Sequence, residues 1–261
     1  MSDLDRIEIA GTKGMFATSL KGKREIDEDF VACGDFGGVR VGVICDGMGG
    51  GEMGDRASEI VATGFVKGVG IEFSKKSETW RSEKIRHTSY RKIIIKCHEV
   101  LNAISRAPGR SGTTITALVT TYGDGRALFA DIIQMGDSRC YRIRSDGADL
   151  LTEDHTVSGN MHRSGFIKIH EIQKTSGSNS LTRNVGDESG SEPDISSIDI
   201  GEDHEFLLCC DGVWGSLHGK DGLWLPEVPI CSQESTDSFV KRAIEMGSTD
   251  NCSVLAIDTR P

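Results

Sequence analysis

Five short acidic clusters stand out because each lies beside a glycine or at the edge of an apolar run: Glu28-Asp29, Asp46-Gly47, Gly136-Asp137, Asp211-Gly212 and Asp250-Asn251. Carboxylates at strand ends that converge from distant sequence positions are how a chain builds a site for a hard cation. Mg2+ and Mn2+ take oxygen ligands in a near-octahedral array, a few of them carboxylates and the rest carbonyls and waters. Asp and Gly at turns supply both kinds. Two such ions about 3.5–4 Å apart can share a water and stabilise both ends of an in-line displacement at phosphorus. A phosphate also needs a cation that holds its oxygens in a plane, which Arg does bidentately and Lys does not. Arg24 lies four and five residues before Glu28 and Asp29. Metal-dependent hydrolysis is the chemistry these residue types suggest.

The elements that must position them follow from periodicity. Residues 30–45 hold two apolar, β-rich runs around a glycine turn, a hairpin whose second strand ends at Asp46-Gly47. There the chain is expected to turn through Gly47, Gly49, Gly50 and Gly51. Helical spacing predicts a helix over Asp55 to Val69 and another over Trp80 to Ala107, stopped by Pro108-Gly109, with 70–79 a polar loop between them. Strands over 113–122, 126–135 and 140–144 form a meander turning at Gly123-Asp124-Gly125 and at Gly136-Asp137-Ser138. Two further strands, Glu205 to Cys210 and Cys252 to Asp258, enclose a helix at Thr236 to Met246. Residues 157–203 show little sustained periodicity, and 157–185 is expected to be a mobile excursion from the core.

This order is not the βαβα alternation of a parallel sheet. It predicts an α+β fold, a four-layer α/β/β/α sandwich of two antiparallel sheets flanked by helices, with the acidic turns meeting at one end. A chain of 261 residues can bury a substantial core, and a single domain over 1–261 is expected.

The 30 Lys+Arg against 40 Asp+Glu give a formal charge of −10 with no basic stripe, so nucleic acid is not expected as a partner. Bound divalent cations would cancel part of that charge. The eight cysteines form no C-x-x-C pair, and several lie in apolar runs, where they read as small buried hydrophobes. No cleavable leader and no apolar run of ~18 residues is evident, so no membrane association is expected and the cytoplasm is the expected location.

Ordinary readings stand beside these. Asp-Gly is common in tight turns, and Asp124-Gly125, Asp146-Gly147 and Asp221-Gly222 are read as only that. Taken alone, Asp46-Gly47 or Asp211-Gly212 would be read the same way. The glycine run after Asp46 lacks the Gly-Lys-Ser/Thr ending of a nucleotide loop. Arg139 is read as structural, His155 as a loop-fixing hydrogen-bonder, and Trp214 and Trp224 as core. Ser111, Thr113 and Thr114 have no Ser/His/Asp arrangement to make a nucleophile.

Eight segments in register change the weighting. Arg24 to Asp29, Asp46-Gly-Met-Gly-Gly50, Ser111-Gly-Thr-Thr114, Gly136-Asp-Ser-Arg139, Leu151-Thr-Glu-Asp-His-Thr156, Leu181-Thr-Arg183, Cys210-Asp-Gly-Val-Trp214 and Thr249-Asp-Asn251 occur in this order. In that order the chain resembles the metal-dependent protein serine/threonine phosphatases, the PPM or protein phosphatase 2C family, from about residue 15 to 258. The resemblance implies two Mn2+ or Mg2+ ions whose shared water attacks the phosphorus of a phosphoserine or phosphothreonine protein. It implies Asp46 as the carboxylate bridging both ions and Gly47 as a carbonyl ligand of the second. Asp211 and Asp250 resemble ligands of the first ion, Glu28 and Asp29 the acidic pair of the second, and Asp137 a ligand of a third, weaker ion. Arg24 aligns with the phosphate-binding arginine. A cognate Ser/Thr kinase is implied as the opposing partner.

Three positions depart from the commoner pattern. Asp27 stands where bacterial members usually carry Asn, and Met48 where many eukaryotic members carry a histidine proposed as general acid. Met cannot donate a proton, and its presence resembles the bacterial branch. Residues 157–185 fall where that branch inserts a flap, with little of the usual flap sequence. Three rivals stay open: a phosphatase of one dedicated regulatory partner, a non-catalytic phosphoprotein-binding pseudophosphatase, and a module with structural Ca2+ sites, against which the lack of an EF-hand loop counts.

Overall fold

The computed structural model describes residues 7–9, 12–49, 53–104, 111–187, 192–200 and 204–260. Among these, strands β1 (Ile7–Ile9), β2 (Met15–Leu20), β3 (Asp29–Asp35) and β4 (Val39–Met48) precede helices α1 (Gly54–Lys76) and α2 (Glu83–Ile104). Strands β5 (Gly112–Thr113), β6 (Ile115–Gly123), β7 (Arg126–Met135), β8 (Arg139–Arg144) and β9 (Gly147–Leu150) follow, then α3 (Val157–Arg163), a 3-10 turn at Ile169–Lys174 and β10 (Asp194–Asp199). The chain continues through β11 (Glu205–Cys209), α4 (Asp211–Leu217), a small ribbon of β12 (His218–Gly219) and β13 (Gly222–Leu223), α5 (Gln233–Glu245) and β14 (Cys252–Asp258).

One sheet has the order β1-β3-β4-β6-β7-β10, with β5 added to β4, and the other the order β2-β14-β11-β8-β9. Pairing is antiparallel except where β1 runs parallel to β3. Three buried clusters fill the three spaces between four layers. Strands alternate side chains between faces, so Phe30 and Ala32 of β3 pack toward α1 and α2, while Val31 and Cys33 pack between the sheets. On β11, Phe206 and Leu208 face the other sheet, and Leu207 and Cys209 face α4 and α5. Strands buried on both faces read as the continuous apolar runs seen in the sequence.

Polar ties fix the outer layer. Arg86 of α2 forks onto Asp131 of β7 at 2.6 and 3.0 Å, with Tyr90 donating to the same carboxylate at 2.8 Å. A buried pair needs this degree of satisfaction to offset the desolvation of both charges.

The expected α+β sandwich of antiparallel sheets is present, and three of its local differences from the expected elements bear on the layout. The segment 70–79 is not a loop: α1 runs through it to Lys76, helped by the i,i+4 pair of Glu72 and Lys76 at 2.5 Å. The glycine that weakens the helical pattern there, Gly70, leaves room for the Phe36 ring. Second, β4 continues through Gly47 to Met48, so the turn begins later than expected; Gly50, Gly51, Ala107 and the Pro108-Gly109 stop lie outside the described residues. Third, residues 157–203 contain α3, the 3-10 turn and β10, which pairs with β7.

Candidate active site

Arg24, Glu28, Asp46, Gly47, Asp137, Asp211 and Asp250 line one cleft of about 250 Å³ at an end of the sandwich, together with Met48, Thr114, Asn179, Leu181 and Asn251. Asp29, the remaining candidate, is fully buried behind the cleft surface. Its place is set by register: Asp29 at the start of β3 lies directly opposite Asp46 near the end of β4. Like charges directly opposite one another in a sheet are destabilising on their own.

The segments that carry Asp46 and Asp137 are held by hydrogen bonds to their main chain. The Asp46 N–H donates to Thr114 Oγ1 at 2.9 Å, and its carbonyl accepts from Thr113 Oγ1 and the Thr114 N–H at 2.8 Å each. The Ser-Gly-Thr-Thr segment therefore clamps the central aspartate, with the Thr113 and Thr114 hydroxyls committed to that task. Asp137 lies in the β7–β8 turn, and the Trp214 indole N–H donates to its carbonyl at 2.8 Å. Arg139 stacks 3.5 Å over that indole and forks onto Asp154 at 2.9 and 2.7 Å, a structural role as expected. Asp211 opens α4, and the following Gly212 has no space for a side chain, because a Cβ would collide with the Asn251 carbonyl. Asn251 donates to the Lys21 and Ile26 carbonyls at 2.9 and 3.0 Å and accepts the Glu28 N–H at 2.9 Å, joining the segment of Arg24 to that of Asp250.

Arg24 reaches the acids directly: its Nη2 contacts Asp250 Oδ2 at 2.7 Å while the side chain stays 52% exposed. A guanidinium this accessible can still be reached by an incoming anion. His155 fixes a loop, accepting the Gly136 N–H on Nδ1 at 3.2 Å.

Burial and mutual repulsion raise the proton affinity of the cleft acids. Burial, then Asp27, pushes the Asp29 carboxyl up to about 8. Burial and the charges of Asp29, Asp211, Asp137 and Asp250 hold Asp46 well above the carboxylate range. Asp137 is raised well above it by burial and Asp211, and Asp211 to about 6 by burial and Asp250, with a hydrogen bond to Asp46 acting against the rise. Among the described residues no three acidic, imidazole or thiol side chains already close around one point in the manner of ligands. Hard divalent ions accept waters and carbonyls for the part of their shell that carboxylates do not fill. An all-oxygen donor set with five carboxylates and one guanidinium on the cleft surface fits such ions.

Sequence reasoning assigned no role to Asn251, to the clamp of Thr113 and Thr114, or to the Trp214 N–H. An Asn directly after a candidate ligand and at a strand start, able to donate and accept together, was the signal available for the first.

The four-layer α+β sandwich is the fold of the PPM phosphatases. The chain belongs to the protein phosphatase 2C family, whose model matches residues 24–252. This makes it a serine/threonine protein phosphatase by class, in a family that depends on Mn2+ or Mg2+. It is 26% identical over 221 residues to a serine/threonine phosphatase stp of Listeria innocua, covering 83% of each chain. It is 25% identical to the protein phosphatase PhpP of Streptococcus pneumoniae, covering 82% of this chain and 84% of the other. Among solved structures, the serine/threonine phosphatase of S. agalactiae superposes with a TM-score of 0.77 at 21% identity, covering 94% of this chain and 98% of that one. The PPM Ser-Thr phosphatase MsPP of Mycobacterium smegmatis, solved with cacodylate, superposes with a TM-score of 0.71 at 25% identity, covering 95% and 99%.

Proposed function

We propose that this chain hydrolyses phosphoserine and phosphothreonine on proteins at the acidic cleft, opposing a Ser/Thr kinase, with two divalent ions and a third, weaker one. The observation that carries this reading is the convergence on one cleft of five carboxylates from four distant parts of the chain, with Arg24 the cation beside them. Asp46, the Gly47 carbonyl, Asp211 and Asp250 would hold the first two ions with Glu28 and Asp29, and Asp137 the third. When bound, such ions supply a nucleophilic water near neutral pH and Lewis acidity toward the phosphoryl oxygens.

The chain's own groups do the rest. Arg24 turns from Asp250 to the phosphoryl group and presents two N–H donors to oxygens that gain charge in the transition state. Thr113 and Thr114 keep the Asp46 backbone fixed. No covalent phosphoenzyme is expected, because the Thr114 hydroxyl facing the cleft is already engaged with the Asp46 N–H and Ser138 Oγ. Met48 brings no proton to the leaving alkoxide, and carboxyl groups are what the described cleft lining offers for proton exchange near neutral pH. Residues 157–185 act as a flap on a single domain spanning 1–261, and Asn179 and Leu181 bring its return arm to the cleft wall. Eight free thiols, seven of them buried, suit a reducing compartment such as the cytoplasm; among the described residues no helix is long and apolar enough to cross a membrane.

The test is turnover of a phosphothreonine peptide with Mn2+, with chelator, and by Asp211→Asn. Chelator and the substitution are each expected to lower turnover at least about a hundredfold, and turnover indifferent to both would overturn the reading.

A further inference from the structure

We propose that His155, Asp194 and Arg183 form a positioning relay that holds the Gly136-Asp137 turn and the cleft wall around Asn179 and Leu181 in one fixed relation. The Asp137 carboxylate and the surface a phosphopeptide would touch then move together. This rests on the phosphatase reading only in treating the cleft as the reaction site.

His155 is fully buried and grips the turn twice: its N–H donates to the Gly136 carbonyl at 2.9 Å, and its Nδ1 accepts the Gly136 N–H at 3.2 Å. With Nδ1 accepting, the ring proton resides on Nε2, which donates to Asp194 Oδ2 at 2.9 Å. Burial lowers the imidazole's pKa against the pull of Asp194, in the direction of the neutral ring that an accepting Nδ1 requires. Asp194, the first residue of β10, receives both terminal nitrogens of Arg183, at 2.6 and 3.2 Å. Arg183 lies two residues past Leu181, on an arm tied back to the same histidine: the Thr182 N–H donates to the His155 carbonyl at 2.8 Å, and Thr156 bridges to Leu181.

One imidazole thus meets the turn with one nitrogen and, through a carboxylate, the arm with the other. The outer pair is not built for stability. Asp194 is 51% exposed and Arg183 25% exposed, and ion pairs in such settings contribute little. What the pair does is orient: a carboxylate on the far nitrogen of a histidine fixes both its tautomer and its ring angle. His155 and Arg183 belong to the sequence segments in register, yet the reaction itself gives them no part.

The experiment is amide hydrogen exchange on the full chain and on Arg183→Met and Asp194→Ala, whose partly exposed sites leave the core intact. Exchange in 134–138 and in 178–186 is expected to rise about tenfold in each variant, while β11 and β14 stay unchanged. The double variant is expected to be no looser than either single one, because both remove the same linkage. In parallel, the Mn2+ concentration for half-maximal turnover is expected to rise about fivefold. Loosening confined to 178–186 would overturn the relay. So would loosening that extends evenly into β11 and β14, since that describes general destabilisation. Exchange is read without turnover, so an inactive wild-type protein would bring down the phosphatase reading and leave the relay to be judged by its own result.

Discussion

Two kinds of Asp-Gly pair occupy opposite ends of the strands, and the space around each glycine separates them. At the tips remote from the cleft, Gly125 and Gly147 have φ of +73° and +152° and nothing within 4 Å of where a Cβ would stand. At the cleft, a Cβ on Gly47 would collide with the Gly54 carbonyl, and one on Gly212 with the Asn251 carbonyl. The tips use glycine for its dihedral freedom and the cleft uses it for room. The aspartates differ in the same way. Asp124 is itself a turn residue with φ of +55°, whereas Asp46 and Asp211 are packed among other acids that raise them.

The largest contrast should appear in turnover. Asp46→Ala is expected to lower kcat for a phosphothreonine peptide by about 10³-fold or more, roughly 4 kcal/mol, with circular dichroism unchanged, whereas Asp124→Ala leaves kcat as it was. Comparable losses in both would erase the distinction between the two ends. Next in size is stability. Gly212→Ala forces a methyl into a carbonyl and is expected to cost about 3 kcal/mol or more. Gly125→Ala adds only the penalty of a positive φ, about 1 kcal/mol. Chemical denaturation of both variants measures the difference.

The smallest effect is a pH dependence without divalent ions. Asp29 titrates near 3.8 when unfolded and near 8 when folded. Between those values the folded chain retains a proton the unfolded chain has lost, so stability falls as pH rises. Calorimetry in chelator should give a lower Tm at pH 8 than at pH 5. Mn2+ should flatten that slope by displacing the protons. A Tm that rises with pH in chelator would show that the acids at the cleft are not mutually crowded.

The sandwich was legible because its central strands are apolar on both faces, and two sheets with outer helices are the arrangement that buries them. Strands such as β2, whose buried and half-buried positions alternate, and the three-residue β1 carry too little apolar signal to stand out. The continuation of α1 was hidden because Gly68 and Gly70 lower helix propensity for a tertiary reason, close approach by Ile93 and Phe36. At the site, the acids were legible as a set in order, yet nothing in Asp46-Gly47 by itself distinguishes it from Asp124-Gly125. The groups that hold the acids were illegible because they act through backbone atoms. The Asn251 amide, the Thr113 and Thr114 hydroxyls and the Trp214 N–H all bond to or beside main-chain groups that only the fold brings within reach.

Trp214 has an optical consequence. Its indole takes the guanidinium of Arg139 on one face and donates its edge N–H to the Asp137 carbonyl. An excited indole is sensitive to the local field, so its emission colour and yield follow the charge state a few bonds away at the Asp137 carboxylate. Trp214, one of three tryptophans, is therefore expected to change its emission when a cation reaches the acidic cleft that Asp137 lines.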